Sequence, residues 1–355
     1  MKTIIEEGLA KINIENKKIV SKNMEVFYNP IMSLNRDISV LLLNSLDKKN
    51  MQIADPLAAS GIRGIRFLKE LNKNKIRKIY INDIDKNAVK SIKENLKLNK
   101  IKNKNNEKII IINEDANLFL LKSTGFDYID IDPFGTPNPF LDAACKRLAR
   151  EGIMAVTATD TSALAGTYPQ ACIRKYWAVP KKDAIMHETG LRILIRKIQL
   201  VGAQYEKALN PIFSYSKEHY MRIFLRNDKG KNNVDEILRM HGTFNGAGPM
   251  WLGNLFDSDL CDMIYNYSIK NKIYNKNNEL IKFLKVIKYE SKINVVGFYD
   301  LNEISGKNKI KRLPKKELIK SKIRKMGYKA SDTHYKGEGI RSDIPYKELL
   351  KILKN

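Results

Sequence analysis

Acidic residues close several short apolar segments in the first half of the chain, and their spacing is typical of a nucleotide-binding sheet. Asp55 opens a run of small residues that ends at Gly64, which would let the backbone approach a ligand closely. Asp83 ends the next apolar segment, close to the offset of about 20 residues at which a carboxylate holds ribose hydroxyls. Asp115 follows a third segment and could accept a hydrogen bond from an adenine amino group, while the Ala116 N–H donates to the ring. The spacing therefore predicts a cofactor that contains adenosine.

The run Asp132-Pro133-Phe134-Gly135 closes a fourth apolar segment and suggests the chemistry. An exocyclic amine of a nucleobase is a poor nucleophile because its lone pair is delocalised into the ring. A carboxylate and a backbone carbonyl that accept its two N–H bonds would orient the nitrogen and favour its reactive, pyramidal form. Asp132 and the Pro133 carbonyl can supply these acceptors, and Phe134 offers a flat face for an extruded base. The run predicts an amine methyltransferase rather than a nicotinamide oxidoreductase, which has no evident use for it.

Alternating strand-length and helix-length patterns supply the frame for these residues. Strands are predicted at 51–55, 78–83, 108–112, 126–132 and 153–158. The helices between them are predicted at 64–71, 87–98 and 139–148. Asp85 is predicted to be the N-cap of the second helix. This alternation predicts a doubly wound α/β domain with a parallel sheet, whose carboxyl edge gathers the acidic loops.

The pattern changes after residue 226. Before that point a helix is predicted at 183–201, followed by two antiparallel strands at 211–216 and 220–225. The polar stretch 227–233 is interpreted as a linker. The sequence therefore predicts two domains, at 1–226 and 227–355.

The last fifth of the chain carries a large share of the positive charge. Residues 301–355 contain 16 Lys or Arg and 6 Asp or Glu, a net charge of +10. A helix led by Pro314 and ending at Met326, followed by the turn-rich stretch 327–344, predicts a helix-plus-hairpin module. We expect this basic module to contact nucleic acid, although a solvated basic helix is an alternative.

The composition of the chain indicates the kind of partner that it binds and the cellular compartment in which we expect it. Lys and Arg outnumber Asp and Glu by 64 to 39, a formal charge of +25, which favours a polyanionic partner. Since the chain has neither a signal core nor an apolar stretch of roughly 20 residues, we expect a cytoplasmic protein without a membrane partner. The three cysteines form no CxxC pair, and His187-Glu188 lacks the second histidine of HExxH, so no metal site is expected. No obligate protein partner is inferred.

The two motifs at 55–67 and 132–135 resemble those of the tRNA (guanine-26, N2)-dimethyltransferase family, specifically its archaeal members. The similarity covers nearly the whole chain. Its further segments are 27–37, 156–160, 171–176, 187–188 and 248–253.

The resemblance implies a class I (Rossmann-like) S-adenosylmethionine-dependent methyltransferase domain, followed by a smaller basic α+β domain that binds tRNA. At matching positions it implies that the cofactor is bound by Arg36, Arg66, Asp83, Asp115 and Ala116. It implies that Asp132 is the catalytic acidic residue and that Phe27 and Phe134 enclose the base, beside Pro133. Some family members carry a zinc-binding cysteine cluster between the domains, but 225–251 contains no cysteine.

The reaction expected from these features is methyl transfer from the sulfonium of S-adenosylmethionine to N2 of guanine 26 in tRNA, twice in succession. A methyltransferase for another exocyclic amine, in rRNA guanine or adenine, is the nearest alternative. A catalytically inert tRNA-binding protein is an alternative from a different class. The intact Asp83 and Asp132 argue against inertness.

Overall fold

Strands and helices alternate through the first half of the chain, as the sequence predicts. The computed structural model describes residues 2–15, 26–102 and 108–354. Its strands are β1 (Lys2–Glu7), β2 (Ala10–Glu15), β3 (Met51–Asp55), β4 (Ile76–Asn82), β5 (Ile109–Ile112), β6 (Phe126–Ile131), β7 (Leu148–Ala158), β8 (Lys207–Lys217), β9 (Tyr220–Lys229), β10 (His241–Phe244), β11 (Ala247–Trp251), β12 (Tyr299–Asp300), β13 (Ala330–Asp332) and β14 (Gly339–Ser342). Its helices are α1 (Ser33–Ser45), α2 (Ile62–Glu70), α3 (Lys86–Leu98), α4 (Ala116–Lys122), α5 (Asn138–Arg147), α6 (Thr161–Leu164), α7 (Pro169–Tyr176), α8 (Met186–Ala203), α9 (Lys231–Arg239), α10 (Ser258–Lys270), α11 (Asn278–Glu290), α12 (Leu301–Lys307), α13 (Lys316–Lys325) and α14 (Tyr346–Lys354). None of these helices combines the length and the hydropathy that crossing a membrane would require.

A seven-stranded sheet forms the centre of the molecule. Its strand order is β5-β4-β3-β6-β7-β9-β8, in which β3 to β7 are parallel and β9 is antiparallel to both of its neighbours. Chain progression reverses beside β3, because β4 and β5 extend the sheet on one side and β6 and β7 extend it on the other. Such a switch point opens a crevice at the carboxyl ends of the strands. The predicted α/β class, the five parallel strands and the antiparallel pair are confirmed.

Several predicted elements are longer in the structure. Strand β7 begins at Leu148 rather than at residue 153, because Leu148 pairs with Phe126 of β6 ahead of a register shift. Strands β8 and β9 together extend from Lys207 to Lys229. Asp85 caps α3 as predicted, since its side chain accepts a hydrogen bond from the Asn87 N–H.

The predicted linker is wrong. Strand β9 continues to Lys229 and α9 begins at Lys231, so the polar residues of this stretch lie in regular structure. The main apolar core also continues beyond it, through α9 and β11 to α11, and Ile287 is its last buried residue. A second apolar cluster runs from Leu301 to Leu353. The domain division at residue 226 therefore stays a prediction, while the apolar packing divides the chain after α11.

The C-terminal module has the predicted helix and hairpin. Helix α13 is followed by β13 and β14, which pair antiparallel, and β12 pairs with the other edge of β14. The sequence did not predict β12 or the flanking helices α12 and α14.

A buried ionic cluster, the Arg341 clamp, fastens this module to α8 and α11. Arg341 Nη2 lies 2.5 Å from Glu188 Oε2, and its Nε lies 2.9 Å from Glu290 Oε1. Arg192 Nε lies 2.9 Å from Glu188 Oε1, and His334 Nδ1 lies 2.6 Å from Glu290 Oε2. Burial alone would raise the pKa of Glu290, but His334 and Arg341 outweigh it and bring the pKa down to about 2.

Candidate functional site

A cavity of about 720 Å³ opens at the carboxyl ends of β3, β4 and β6. This size falls within the range of small-molecule sites. Its lining residues are Phe27, Tyr28, Asn29, Ile31, Met32, Arg36, Asp55, Leu57, Ala58, Ala59, Ser60, Ile62, Arg63, Asp83, Asp132, Pro133, Phe134, Phe140, Thr159, His219 and Tyr220. A second cleft of about 520 Å³ contains Arg150 and Asp228 but none of the predicted site residues.

The structure gathers six of the nine predicted site residues around the first cavity. They are Phe27, Arg36, Asp83, Asp132, Pro133 and Phe134. The other three, Arg66, Asp115 and Ala116, are not among its lining residues.

The loop between β3 and α2 forms one wall of the cavity, and glycines shape it. Gly61 adopts a left-handed backbone with φ of 75°, a conformation that side chains with a Cβ rarely adopt. A Cβ added to Gly64 would lie 2.7 Å from Ile81 Cδ1, so this glycine allows α2 to pack closely on β4. A Cβ added to Gly61 would likewise lie 3.0 Å from Ile92 Cγ1, so both glycines let this wall of the cavity pack closely on its neighbours.

Asp55, at the start of this loop, has an unusual environment. Its side chain is almost fully buried, and among the described residues its Oδ2 atom has no hydrogen-bond partner. Burial, together with the neighbouring Asp130 and Asp132 charges, raises the pKa of Asp55 to about 8 even though Arg63 opposes the shift. A buried carboxyl that faces a cavity and lacks a partner is suited to a cationic ligand group.

Asp83 joins two of the loops that border the cavity. Its Oδ2 accepts the Ala59 N–H at 2.8 Å, and its Oδ1 accepts the Asp85 N–H at 2.9 Å. Burial raises the pKa of Asp83, and these backbone hydrogen bonds oppose the rise. A carboxylate has further lone pairs, so it can still accept hydrogen bonds from a ligand hydroxyl.

Asp132 lies at the end of β6 and is held by Arg63 on the facing helix α2. Arg63 Nη2 donates to Asp132 Oδ2, and Arg63 Nη1 lies 3.2 Å from Asp130 Oδ2. Arg63 Nη1 also donates to Asn35 Oδ1 and to Ser39 Oγ, at 3.1 Å each. These contacts fix the guanidinium and leave Asp132 Oδ1 outside the arginine contact.

Asp130 is the buried support behind this pair. Its carboxylate accepts two hydrogen bonds from Arg222, at 2.7 and 2.8 Å, and its side chain is completely buried. Burial alone would raise the pKa of Asp130, but Arg222 and Arg63 outweigh burial and lower it. The sequence did not predict the roles of Arg63 and Arg222. Which side chains of α2 and β9 face β6 depends on how these two elements pack against the strand, and the sequence pattern does not determine that packing.

The two arginines implied by the family resemblance occupy different positions. Arg36 lines the cavity and forms a bidentate pair with Glu7 of β1, at 2.5 and 2.6 Å. Arg66 is completely buried and contacts Glu7, Asp37 and Glu70 at 2.6 to 2.9 Å. Its guanidinium is committed to carboxylates away from the cavity, so a cofactor role for Arg66 stays a prediction without geometric support. Neither arginine lies on the surface.

Asp115 and Ala116 lie at the start of α4. Asp115 is the N-cap, because its Oδ1 accepts the Asn117 and Leu118 N–H groups at 2.9 and 3.1 Å. This loop is tied to the end of β4, where Asn82 Nδ2 donates to the Glu114 carbonyl at 3.0 Å. The expected adenine contacts of Asp115 and Ala116 stay predictions.

Two aromatic rings stand at the cavity mouth. The ring centroids of Phe27 and Phe134 are 4.2 Å apart with an interplanar angle of 73°, and Phe134 is 46% exposed. This edge-to-face contact leaves no space for a base between the rings, so enclosing a base requires them to separate. Behind Phe134, Thr159 Oγ1 accepts the Gly135 N–H at 2.7 Å and fixes the end of the turn.

His219 and Tyr220, at the turn between β8 and β9, also line the cavity. Sequence reasoning missed them because only the antiparallel pairing of β7, β9 and β8 brings this turn to the carboxyl edge of the sheet. Within residues 2–15, 26–102 and 108–354, no three His, Cys, Asp or Glu side chains are grouped as metal binding would require.

Known proteins resemble this chain over its whole length. A sequence model of the family described as N2,N2-dimethylguanosine tRNA methyltransferase matches residues 8–246 and 239–354. A tRNA (guanine(26)-N(2)/guanine(27)-N(2))-dimethyltransferase of Aquifex aeolicus is 39% identical over 99% of this chain and 95% of its own. A tRNA (guanine(26)-N(2))-dimethyltransferase of Methanocaldococcus jannaschii is 38% identical over 99% and 98% of the two chains.

Among solved structures, the complex of Trm1 from Pyrococcus horikoshii with S-adenosyl-L-methionine is similar throughout. It superposes with a TM-score of 0.90 at 35% identity, and the match covers 99% of this chain and 100% of the other.

Proposed function

The chain belongs to the N2,N2-dimethylguanosine tRNA methyltransferase family, and from that premise we propose that it transfers methyl groups from S-adenosylmethionine to the N2 amine of guanine 26 in tRNA. The observation that carries this proposal is the position of Asp132, Pro133 and Phe134 at the mouth of a cavity whose inner wall is the glycine loop. An acceptor group for the amine thus lies beside space for the methyl donor.

The residues around the cavity fit this cofactor chemically. Its methionine part carries one ammonium and one carboxylate, and the cavity offers carboxyl groups from Asp55 and Asp83 together with the Arg36 guanidinium, whose pair with Glu7 uses Nε and Nη2 and leaves Nη1 outside it. The unpartnered Oδ2 of Asp55 suits the ammonium, and Asp83 suits the ribose hydroxyls. When bound, the cofactor supplies an electrophilic methyl group on its sulfonium.

Asp132 is proposed as the catalytic residue, and Arg63 is proposed to position it. With one carboxylate oxygen held by Arg63, the other can accept an N–H of the target amine and stabilise the positive charge that develops on nitrogen. The Pro133 carbonyl is proposed as the second acceptor. Phe134, with Phe27, is proposed to stack on the base after the rings separate.

The basic C-terminal region, proposed as residues 227–355, is assigned to tRNA binding. Its support is the net charge of +10 over residues 301–355. Neutralising several of its exposed lysines should make tRNA affinity fall less steeply with salt, since each lost phosphate contact lowers the slope by roughly 1.

Labelled cofactor and two tRNAs that differ at one nucleotide test the reaction. The protein should label unmodified tRNA at guanine 26, and nucleoside analysis should identify N2-methylated and N2,N2-dimethylated guanosine. Replacing guanine 26 by inosine removes the 2-amino group and should abolish labelling, although the backbone contacts that dominate affinity are unchanged. Efficient labelling of the inosine tRNA would reject N2 as the acceptor.

A further inference from the structure

A surface beside the cavity mouth carries exposed aromatic and basic side chains that the proposed chemistry does not use. We define the α7 face as Tyr168, Ile173, Arg174, Trp177, Val179 and Lys182, all of which are exposed. Between Asp160 and Asp183 the chain has four basic residues and no acidic residue. Two of these four, Lys175 and Lys181, pair with Asp160 and Asp183, whereas Arg174 and Lys182 form no ion pair with a described residue. Large exposed aromatics beside such cations are unusual on a surface that only faces solvent.

Hydrogen bonds fasten the α7 face to the turn that carries Asp132. Asn138 Nδ2, on the helix after this turn, donates to the Lys175 carbonyl at 2.9 Å. The Tyr176 hydroxyl contacts Thr136 Oγ1 at 3.0 Å and donates to Asp160 Oδ1 at 2.7 Å. A ligand bound to the α7 face would therefore be held at a fixed distance from the catalytic turn.

Trp177 is held as a rigid platform. It ends α7 in the left-handed conformation, with φ of 57° and ψ of 41°, which residues other than glycine rarely adopt. Its ring is 54% exposed and packs on the Lys197 ammonium, which lies 3.0 Å from the ring centroid. Tyr168, at the other end of the helix, is 62% exposed.

The charges on the α7 face favour an anionic ligand. Arg174 and Lys182 are exposed and form no ion pair with any residue that the structure describes. Aromatic rings on which bases stack, next to cations that track phosphates, are the features that bind unpaired nucleotides. We propose that the α7 face binds tRNA nucleotides that flank the target guanine, with bases stacked on Tyr168 and Trp177 and phosphates beside Arg174 and Lys182. This inference rests on the proposed function, because it takes tRNA as the substrate.

The test measures tRNA binding separately from methyl transfer. The full-length protein and its variants are titrated with unmodified tRNA over a range of salt concentrations, and cofactor binding is measured by calorimetry. Trp177→Ala should weaken tRNA binding by about 5- to 100-fold, the cost of losing one base–aromatic stack, and leave cofactor affinity unchanged. Trp177→Phe keeps a flat ring and also places a residue with a side chain in the left-handed backbone conformation. The tRNA affinity of this variant should therefore stay close to that of the wild type. Tyr168→Ala tests the other ring without disturbing the left-handed residue.

A matched pair of charge variants tests the phosphate contacts. Arg174→Gln combined with Lys182→Gln should reduce the slope of log Kd against log salt by about 2. Lys90→Gln combined with Lys93→Gln removes the same charge from exposed positions of α3 that do not line the cavity, and should leave the slope unchanged.

The outcomes separate the two proposals. The proposal for the α7 face would be overturned if Trp177→Ala and Tyr168→Ala both bind tRNA with wild-type affinity. It would also be overturned if the two pairs of charge variants change the salt slope equally, even if guanine 26 is methylated. If the wild-type protein methylates no guanine while these substitutions weaken tRNA binding, the α7 face is retained and the proposed reaction is rejected.

Discussion

Two buried clusters of arginines and carboxylates differ in how completely their charges are paired. In the Arg341 clamp, Glu188 lies between Arg341 and Arg192, and Glu290 lies between Arg341 and His334. In the site cluster of Asp55, Asp130, Asp132, Arg63 and Arg222, only Asp130 is enclosed by two arginines. Asp132 has one arginine partner and a side chain that is 18% exposed, and the Oδ2 atom of Asp55 has no partner among the described residues.

We propose that this difference separates a structural ionic cluster from a functional one. Burying a charge is costly unless it is paired, so the closed clamp is consistent with a role in holding the C-terminal module on α8 and α11. Carboxyls left incompletely paired beside a cavity are the pattern expected where a ligand completes the pairing. The comparison predicts that substitutions in the clamp change stability and that substitutions in the site cluster change chemistry.

The largest expected effect is on stability, from Arg341→Met. Removing the guanidinium leaves the Glu188 and Glu290 carboxylates buried with fewer partners, and we expect a loss of about 3 to 5 kcal/mol in the free energy of unfolding. Urea unfolding measures it. Lys307→Met, which breaks the exposed pair with Glu303, is the control and should leave stability unchanged. Unaltered stability of Arg341→Met would show that the clamp does not secure the module.

The second effect is on chemistry, from Asp132→Ala. Loss of the amine acceptor should lower the single-turnover methylation rate at least about 100-fold while the fold and cofactor affinity are retained. Asp132→Asn keeps one acceptor oxygen but lacks the negative charge, so it should retain partial activity at most. A near wild-type rate in Asp132→Ala would place the chemistry on another residue.

Arg63→Met should have a smaller effect on the same step. Without the guanidinium the Asp132 carboxylate is no longer held, and a misplaced catalytic group costs about 10- to 100-fold in rate. If Arg63 acts by positioning, kcat should fall while KM for tRNA stays nearly constant. Added guanidinium ions at millimolar concentration should then restore part of the rate. A fall in thermal stability without rescue would point to a purely structural role.

The sequence predicts more residues of the site cluster than of the Arg341 clamp. Asp83 and Asp132 could be predicted because each follows an apolar run, and the carboxyl ends of parallel strands share one edge. The partner of Arg36 could not be predicted, because Glu7 belongs to a hairpin that no motif indicated. The choice between Arg63 and Arg66 depends on how α2 is rotated against the sheet, and the clamp pairs Arg341 with Glu188, which lies 153 positions away. The local sequence pattern therefore predicts that acidic residues lie at the strand ends. It does not predict which charged side chains pair with them, because tertiary packing determines those pairs.

The two clusters should also respond to pH with opposite signs. The pKa of Glu290 is lowered in the folded state from 4.5 to about 2, so its contribution to stability is present above pH 4.5 and is lost as the pH falls toward 2. The pKa of Asp55 is raised from 3.8 to about 8, so its contribution is present below pH 3.8 and is lost as the pH rises through 8. Of these two contributions, only that of Asp55 changes between pH 5 and pH 7.

The smallest predicted effect follows from this window and concerns Asp55→Asn. An amide does not ionise, so the variant should lack the decline with pH that the wild-type carboxyl causes. Relative to the wild type, the unfolding free energy of Asp55→Asn should rise by about 1 kcal/mol for each pH unit between pH 5 and pH 7, close to the limit of 1.4 kcal/mol for one proton. Glu188→Gln is the matched control from the clamp, and its difference from the wild type should stay constant over this range, because its partners Arg192 and Arg341 do not titrate there and hold the pKa of Glu188 below its usual value. Urea unfolding of the cofactor-free protein at three pH values measures both differences. Parallel curves for wild type and Asp55→Asn would mean that Asp55 is ionised and partnered at neutral pH, and the contrast between an open site and a closed clamp would no longer hold.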